Sequence, residues 1–122
     1  MSNRLVSFGL IAVATLAMAG QAFAHAHLKT STPADKSNVA AAPAAVTLSF
    51  TEGLNLKFSG VEVTGPQKAV VKTGDAALTD HDKGLTVPLV GTLPPGAYTV
   101  EWHALSIDGH KTTGAFSFTI KP

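Results

Sequence analysis

The stretch Tyr98-Thr99-Val100-Glu101-Trp102-His103-Ala104-Leu105 decides the fold class of this chain. Apolar and polar residues alternate along it, so Tyr98, Val100 and Trp102 share one face of an extended strand. An amphipathic helix would instead repeat its apolar residues every three or four positions. The stretch therefore predicts a β-strand with one buried face and one solvent face.

The same alternation recurs along the chain on both sides of this strand. Further strand candidates are residues 46–50, 56–63, 69–72, 85–89 and 115–120. The second of these changes face at Ser59-Gly60, which predicts one strand bent at a glycine bulge or two separate strands. Residues 28–31 can also pair into a sheet, whereas residues 32–43 are predicted to form a loop with at most a short turn of helix.

Seven to eight short strands separated by Gly, Pro, Asn and Asp are typical of an all-β protein. No segment after residue 25 reads as a long amphipathic helix. We therefore predict a single Greek-key β-barrel or sandwich of cupredoxin or immunoglobulin-like type.

The first 24 residues have the three parts of a secretory signal. Arg4 supplies the positive charge, residues 5–19 are almost unbroken apolar, and Ala22-Phe23-Ala24 is an A-x-A cleavage pattern. A membrane span needs about 20 apolar residues, and Gly20-Gln21 ends this run too early. The pattern predicts cleavage before His25, a domain over residues 25–122, export to the periplasm and no membrane insertion afterwards.

Composition narrows what the exported domain can bind. Removing residues 1–24 from 122 leaves 98, enough for one domain, and Arg4 is the only arginine, so eight lysines face eight acids. Because these charges balance, there is no excess of basic residues that would indicate binding of nucleic acid. Cysteine is absent and both methionines, Met1 and Met18, leave with the signal, so a metal must be bound by nitrogen and oxygen. Among the divalent ions that such donors suit, Cu(II) has the highest affinity.

Cleavage after Ala24 would create a chelating residue, because His25 then carries a free α-amine beside its imidazole. A second imidazole and a carboxylate would complete a copper site, and Asp108-Gly109-His110 offers both, pointing the same way if the backbone is extended. The alternative is structural, because Asp-Gly is a strong hairpin-turn signal and D-x-H is a frequent chance pattern.

The remaining donors have open assignments. After the cut, His27 would be the third residue of the chain. In that position the α-amine, two deprotonated backbone amides and the His27 imidazole can wrap Cu(II). The alternative is that His27 is a solvent-facing strand residue. Glu52 is either an acceptor that orients a ligand imidazole or an ordinary exposed glutamate. His81 is expected in a solvated turn, and His103 faces away from the aromatic side of its strand.

The mature chain also resembles the CopC group of periplasmic copper-resistance proteins. The resemblance runs from His25 almost to the C-terminus and is carried by an ordered series of short motifs: Leu28-Lys29-Thr30-Ser31, Pro33-Ala34, Leu48-Ser49-Phe50-Thr51-Glu52, Leu56-Lys57-Phe58-Ser59-Gly60, Leu93-Pro94-Pro95-Gly96-Ala97-Tyr98, Val100-Glu101-Trp102, Ser106-Ile107-Asp108-Gly109-His110 and Thr113-Gly114.

The resemblance implies a β-barrel or sandwich that binds Cu(II) through the His25 α-amine and imidazole, Asp108 and His110, with Glu52 nearby. Some members carry a methionine-rich Cu(I) loop, but residues 65–84 contain no methionine here. We therefore expect one Cu(II) per chain and no thioether Cu(I) site.

The expected function is periplasmic Cu(II) binding for copper homeostasis and resistance, by a monomer that sequesters copper or delivers it to an inner-membrane transporter. We expect a carrier and not an enzyme. Two alternatives stay open: an oxidoreductase with a copper centre of one amine and two imidazoles, and a metal-free immunoglobulin-like interaction module.

Overall fold

The fold is given by a computed structural model, which describes residues 26–122. The predicted signal over residues 1–24, its cleavage site and His25 lie outside the described residues. In the described part nine strands form: β1 (Leu28–Thr32), β2 (Ser37–Val39), β3 (Ala45–Phe50), β4 (Gly60–Thr64), β5 (Val70–Val71), β6 (Ala77–Thr79), β7 (Gly84–Pro88), β8 (Gly96–Leu105) and β9 (Lys111–Ile120). Within this range no helix is long and apolar enough to cross a membrane.

The strands form two sheets. One has four strands in the order β1-β3-β7-β6, and the other has five in the order β2-β9-β8-β4-β5. Neighbouring strands are antiparallel except β2 and β9, which run parallel. The longest pairing joins β8 to β9 over ten residue pairs, from Gly96 opposite Ile120 to Leu105 opposite Lys111. The all-β, two-sheet fold predicted from the alternation is thus confirmed.

The core lies between the sheets and consists of the apolar face of each strand. Tyr98, Val100 and Trp102 are buried on β8, while His103, which follows Trp102, is exposed. The ring of Phe50 on β3 meets Trp102 edge-on at a centroid distance of 5.1 Å, which links the two sheets. Gly114 lies opposite Trp102 in the register. A Cβ there would be 2.5 Å from Trp102 Cζ2, so the indole packs where this side chain is missing.

Two local predictions are wrong. Residues 56–58 form a 3-10 helix (Leu56–Phe58) and no strand, because the Asn55 side chain accepts the Lys57 N–H at 3.1 Å and caps a turn. The strand begins only at Gly60, in agreement with the predicted break at Ser59-Gly60.

The second correction concerns the predicted loop over residues 32–43, which contains β2. Ser37–Val39 pairs with β9, and the Lys36 N–H donates to the Ser117 carbonyl at 2.6 Å just before it. Asp35 accepts the Ser117 N–H at 3.1 Å. These contacts are with residues some 80 positions away. They hold this segment as a strand although its local preference for strand is weak. With the short β6, β2 raises the strand count above the predicted seven to eight.

Candidate metal centre

One end of the sandwich gathers the polar residues singled out above. Strands β3 and β8 finish there, and β1, β7 and β9 begin there. We call this the site end, and it comprises residues 26–27, 51–55, 80–83 and 106–110. Glu52, His81, Asp108 and His110 therefore share one end of the fold, although their sequence positions span almost sixty residues.

The amino-terminal arm is held at the site end by backbone contacts. Ala26 is fully buried, and its carbonyl accepts a hydrogen bond from the Thr112 hydroxyl at 2.9 Å. The His27 N–H donates to Thr51 Oγ1 at 2.9 Å, and the Thr51 N–H donates to the His27 carbonyl at 2.9 Å. Thr112 lies in β9, two residues after His110, so Ala26 is bonded close to the loop that carries His110.

Residues 106–110 form the tight turn between β8 and β9. The Ser106 N–H donates to the His110 carbonyl at 2.9 Å, and the Gly109 N–H donates to the Ser106 carbonyl at 2.9 Å. Gly109 has a φ of +94°, a conformation that favours glycine. The Asp-Gly turn signal is therefore confirmed, and the extended backbone considered for Asp108 to His110 is wrong. The turn itself, with its positive φ at Gly109, brings the two side chains together.

Asp108 and His110 contact each other directly. His110 Nδ1 lies 3.2 Å from Asp108 Oδ1, and the Ser106 hydroxyl also donates to that oxygen. These contacts lower the pKa of Asp108 below its ordinary value, the Ser106 hydrogen bond being the largest cause and the His110 hydrogen bond the next. A carboxylate that accepts from one ring nitrogen sets the orientation of the imidazole. Coordination of an ion through Nε2 would not disturb this contact by itself, but an Asp108 oxygen that binds the same ion would have to leave Nδ1.

Both side chains of the pair are open to solvent. The exposed fractions are 47% for His110 and 54% for Asp108, so an ion could reach them without a conformational opening. Glu52 borders the same depression of about 340 Å³ as Ser106 and Asp108. Glu52 and Asp108 thus line one depression, and the role of Glu52 stays a prediction.

The other histidines are separate from this pair. His27 is exposed in the arm and His81 in the turn before β7, and both lie at the site end. His103 is exposed on the outer face of the five-stranded sheet, where it borders a depression with Glu62 and Glu101. In the part of the chain that the structure describes, no group of three or more His, Cys, Asp or Glu side chains is placed to hold a metal ion.

Three hydroxyl residues at or next to the site end carry contacts that sequence reasoning missed. Thr51 and Thr112 hold the arm, and Ser106 holds the turn. Only Ser106 had a local signal, because a serine two residues before an Asp-Gly pair is typical of a side-chain-stabilised turn. The two threonines act on residues distant in sequence, so no local pattern indicates them.

The fold and this end together define a class: a single-domain β-sandwich with a tethered amino-terminal arm beside an Asp–His turn. The chain belongs to the CopC family, whose model, described as CopC domain, matches residues 28–121. The family resemblance of the sequence is thereby confirmed.

Individual proteins agree with this assignment. The chain is 44% identical over 119 residues to Protein YobA of Escherichia coli K12, covering 97% of this chain and 96% of YobA. It is 34% identical over 99 residues to Copper transport protein CutJ of Bacillus subtilis, covering 80% of this chain and 18% of CutJ. The crystal structure of PcoC, a methionine-rich copper resistance protein from Escherichia coli, superposes with a TM-score of 0.72 and 37% identity over 80% of this chain and 100% of PcoC. Membership of this family connects the chain to copper.

Proposed function

We propose that the protein, after removal of residues 1–24, is a periplasmic carrier that binds one Cu(II) ion at the site end. The donors are the α-amine and imidazole of His25, the Asp108 carboxylate and the His110 imidazole. This set contains nitrogen and oxygen only, which suits Cu(II) in a tetragonal arrangement. Glu52 borders the site and takes part indirectly, through hydrogen bonding.

The observation that carries this proposal is the hydrogen bond from Thr112 to the Ala26 carbonyl. It joins Ala26 to the strand that begins directly after His110, and the proposed site has the residue before Ala26 beside the Asp108–His110 pair. An α-amine at position 25 would therefore be delivered to two further donors that the turn already holds together.

The backbone contacts of His27 favour this set over amide wrapping. Wrapping needs the His27 amide to lose its proton to the ion, but that N–H donates to Thr51 Oγ1 at 2.9 Å. The His27 carbonyl also accepts the Thr51 N–H. Wrapping would have to break this two-way contact and pull a fully buried Ala26 out of the fold.

We propose a carrier and not an enzyme, because a carboxylate ligand takes the coordination position that oxygen would need for activation. The absence of methionine after Met18 is consistent with one Cu(II) site and no thioether Cu(I) site, in contrast to methionine-rich PcoC.

A membrane transporter is the proposed recipient, since a region similar to this chain makes up 18% of CutJ, which is named a copper transport protein. The carrier is expected to act as a monomer.

The test compares two forms of the folded protein, one beginning at His25 and one with a single glycine before it. Titration with Cu(II) against a competing chelator should show one tight equivalent for the first form and its loss for the second. His110→Ala in the first form is the matched control for the folded donors. Equal binding by both forms would show that the α-amine is not a ligand, and the proposed site would fail.

An electron spin resonance spectrum of the Cu(II) form then identifies the donors. The proposed set predicts three nitrogen ligands and one oxygen, whereas amide wrapping by His27 predicts four nitrogens. Sequencing or mass measurement of the exported amino terminus tests the cut itself, and a start other than His25 would refute it.

A further inference from the structure

The hydroxyl of Ser106 has contacts with both proposed ligand residues of the turn. It donates to Asp108 Oδ1, and it lies 3.2 Å from the His110 amide nitrogen, from which it accepts. Ser106 is only 2% exposed, so this hydroxyl is shielded from water that could replace either contact.

A serine hydroxyl has one proton, and two acceptors lie within reach of it. The His110 carbonyl is 3.2 Å away, but it already accepts the Ser106 N–H at 2.9 Å. Asp108 Oδ1 is the shorter contact and bears a negative charge, so it takes the proton. The hydroxyl therefore fixes the rotation of the carboxylate and, through it, the ring nitrogen that His110 directs toward Asp108.

We propose that Ser106 is a positioning residue that holds Asp108 and His110 in the arrangement that receives copper. This inference rests on the proposed function for the role of the ion, but its effect on the metal-free turn can be tested separately. In the metal-free turn Ser106 keeps the His110 Nδ1–H on the carboxylate, which selects the tautomer whose unprotonated Nε2 can accept the ion. When Asp108 binds that same ion, its carboxylate would release Nδ1.

The variant that tests this is Ser106→Ala, with Ser106→Thr as the variant that retains the hydroxyl. Loss of a residue that orients metal ligands lowers metal affinity by about 10- to 100-fold, and we expect a loss in that range for Ser106→Ala. The threonine variant should recover most of it. The electron spin resonance spectrum of the alanine variant should broaden, because Asp108 and His110 then adopt several orientations.

Ser59→Ala is the matched control, because Ser59 is also buried, at 7% exposure, and its hydroxyl accepts the Leu105 N–H at 3.0 Å. It removes an equivalent buried acceptor next to the turn without touching Asp108 or His110. Its Cu(II) affinity should equal that of the unaltered protein. An equal loss in both variants would show a general structural effect and would overturn the proposal.

The second readout is the tautomer of His110 in the metal-free protein, measured by two-bond proton–nitrogen correlation on histidine labelled with ¹⁵N. The neutral imidazole of the unaltered protein should be in the Nδ1–H form, and Ser106→Ala should shift it toward the Nε2–H form. An unaltered protein in the Nε2–H form overturns the proposal, even if the alanine variant does not fold. If the unaltered protein has the expected tautomer but binds no Cu(II), the proposed function fails and the positioning role stands.

Discussion

Replacement of Thr112 by valine tests the proposal that the tethered arm brings the amino terminus to the site. Valine has nearly the same shape and suits a strand, but it has no donor for the Ala26 carbonyl, which accepts the Thr112 hydroxyl at 2.9 Å. Ala26 is fully buried, so water does not replace the lost bond. Leaving such an acceptor unpaired costs about 1–3 kcal/mol.

The arm can avoid this cost by detaching from the fold, and Cu(II) binding must then restore the attached state. Since each 1.4 kcal/mol is a factor of ten, about 1–3 kcal/mol corresponds to about 5- to 140-fold weaker binding. The assay is Cu(II) titration of the form beginning at His25, in competition with a chelator of known affinity. The stoichiometry should stay at one ion per chain while the affinity falls.

Two controls separate this effect from a general change in β9. Thr112→Ser keeps the hydroxyl and should bind Cu(II) almost as tightly as the unaltered protein. Thr113→Val alters the exposed neighbouring position, whose side chain points to the opposite face of the strand, and should bind normally. An unchanged affinity for Thr112→Val, with the protein folded, would refute the idea that the tethered arm places the amine.

Three further predictions concern the core, the pH dependence and His27. Gly114→Ala puts a Cβ 2.5 Å from Trp102 Cζ2, and overpacking of this kind costs about 1–3 kcal/mol of stability. The midpoint of urea unfolding, measured by the fluorescence emission of the one tryptophan, should therefore fall. An unchanged midpoint would contradict this packing. The lowered pKa of Asp108 stabilises the fold above its unfolded pKa of about 3.9, and this stabilisation is lost as the pH falls through the lower folded value. The difference in melting temperature between the metal-free protein and Asp108→Asn should therefore vanish in acid, and a difference that persists there would count against this account. His27→Ala should keep most of the Cu(II) affinity that His110→Ala loses, and the reverse order would favour amide wrapping.

The sequence predicts the strands with one buried face and misses the elements formed by distant contacts. Residues 98–105 and 115–120 repeat every two positions because one side packs in the core, and both are strands. β2 has three residues and depends on β9 for its pairing, so its own sequence gives little indication of a strand. Leu56 and Phe58 alternate as in a strand, but the cap from Asn55 favours a 3-10 turn.

The site follows the same division. The Asp108-Gly109-His110 turn could be read locally, since a glycine with φ of +94° belongs in an Asp-Gly turn. The tether from Thr112 to Ala26 spans 86 positions, and no residue type near either end indicates it. The assignment of His25 itself stays a prediction, because that residue lies outside the described part of the chain.

The pairing of β1 has a consequence for the proposed removal of residues 1–24. Leu28 is registered opposite Phe50, and the arm before it is anchored at Ala26 and His27, so the described contacts of this sheet edge are made by residues 26 onward. A signal peptidase that cut one residue early or late would therefore release a molecule that folds and resists proteolysis normally. Under the proposed ligand set that molecule would not bind Cu(II) tightly. Errors of processing would then accumulate as a stable, inactive fraction, which a melting curve does not distinguish and which only the mass of the amino terminus or the copper stoichiometry reveals.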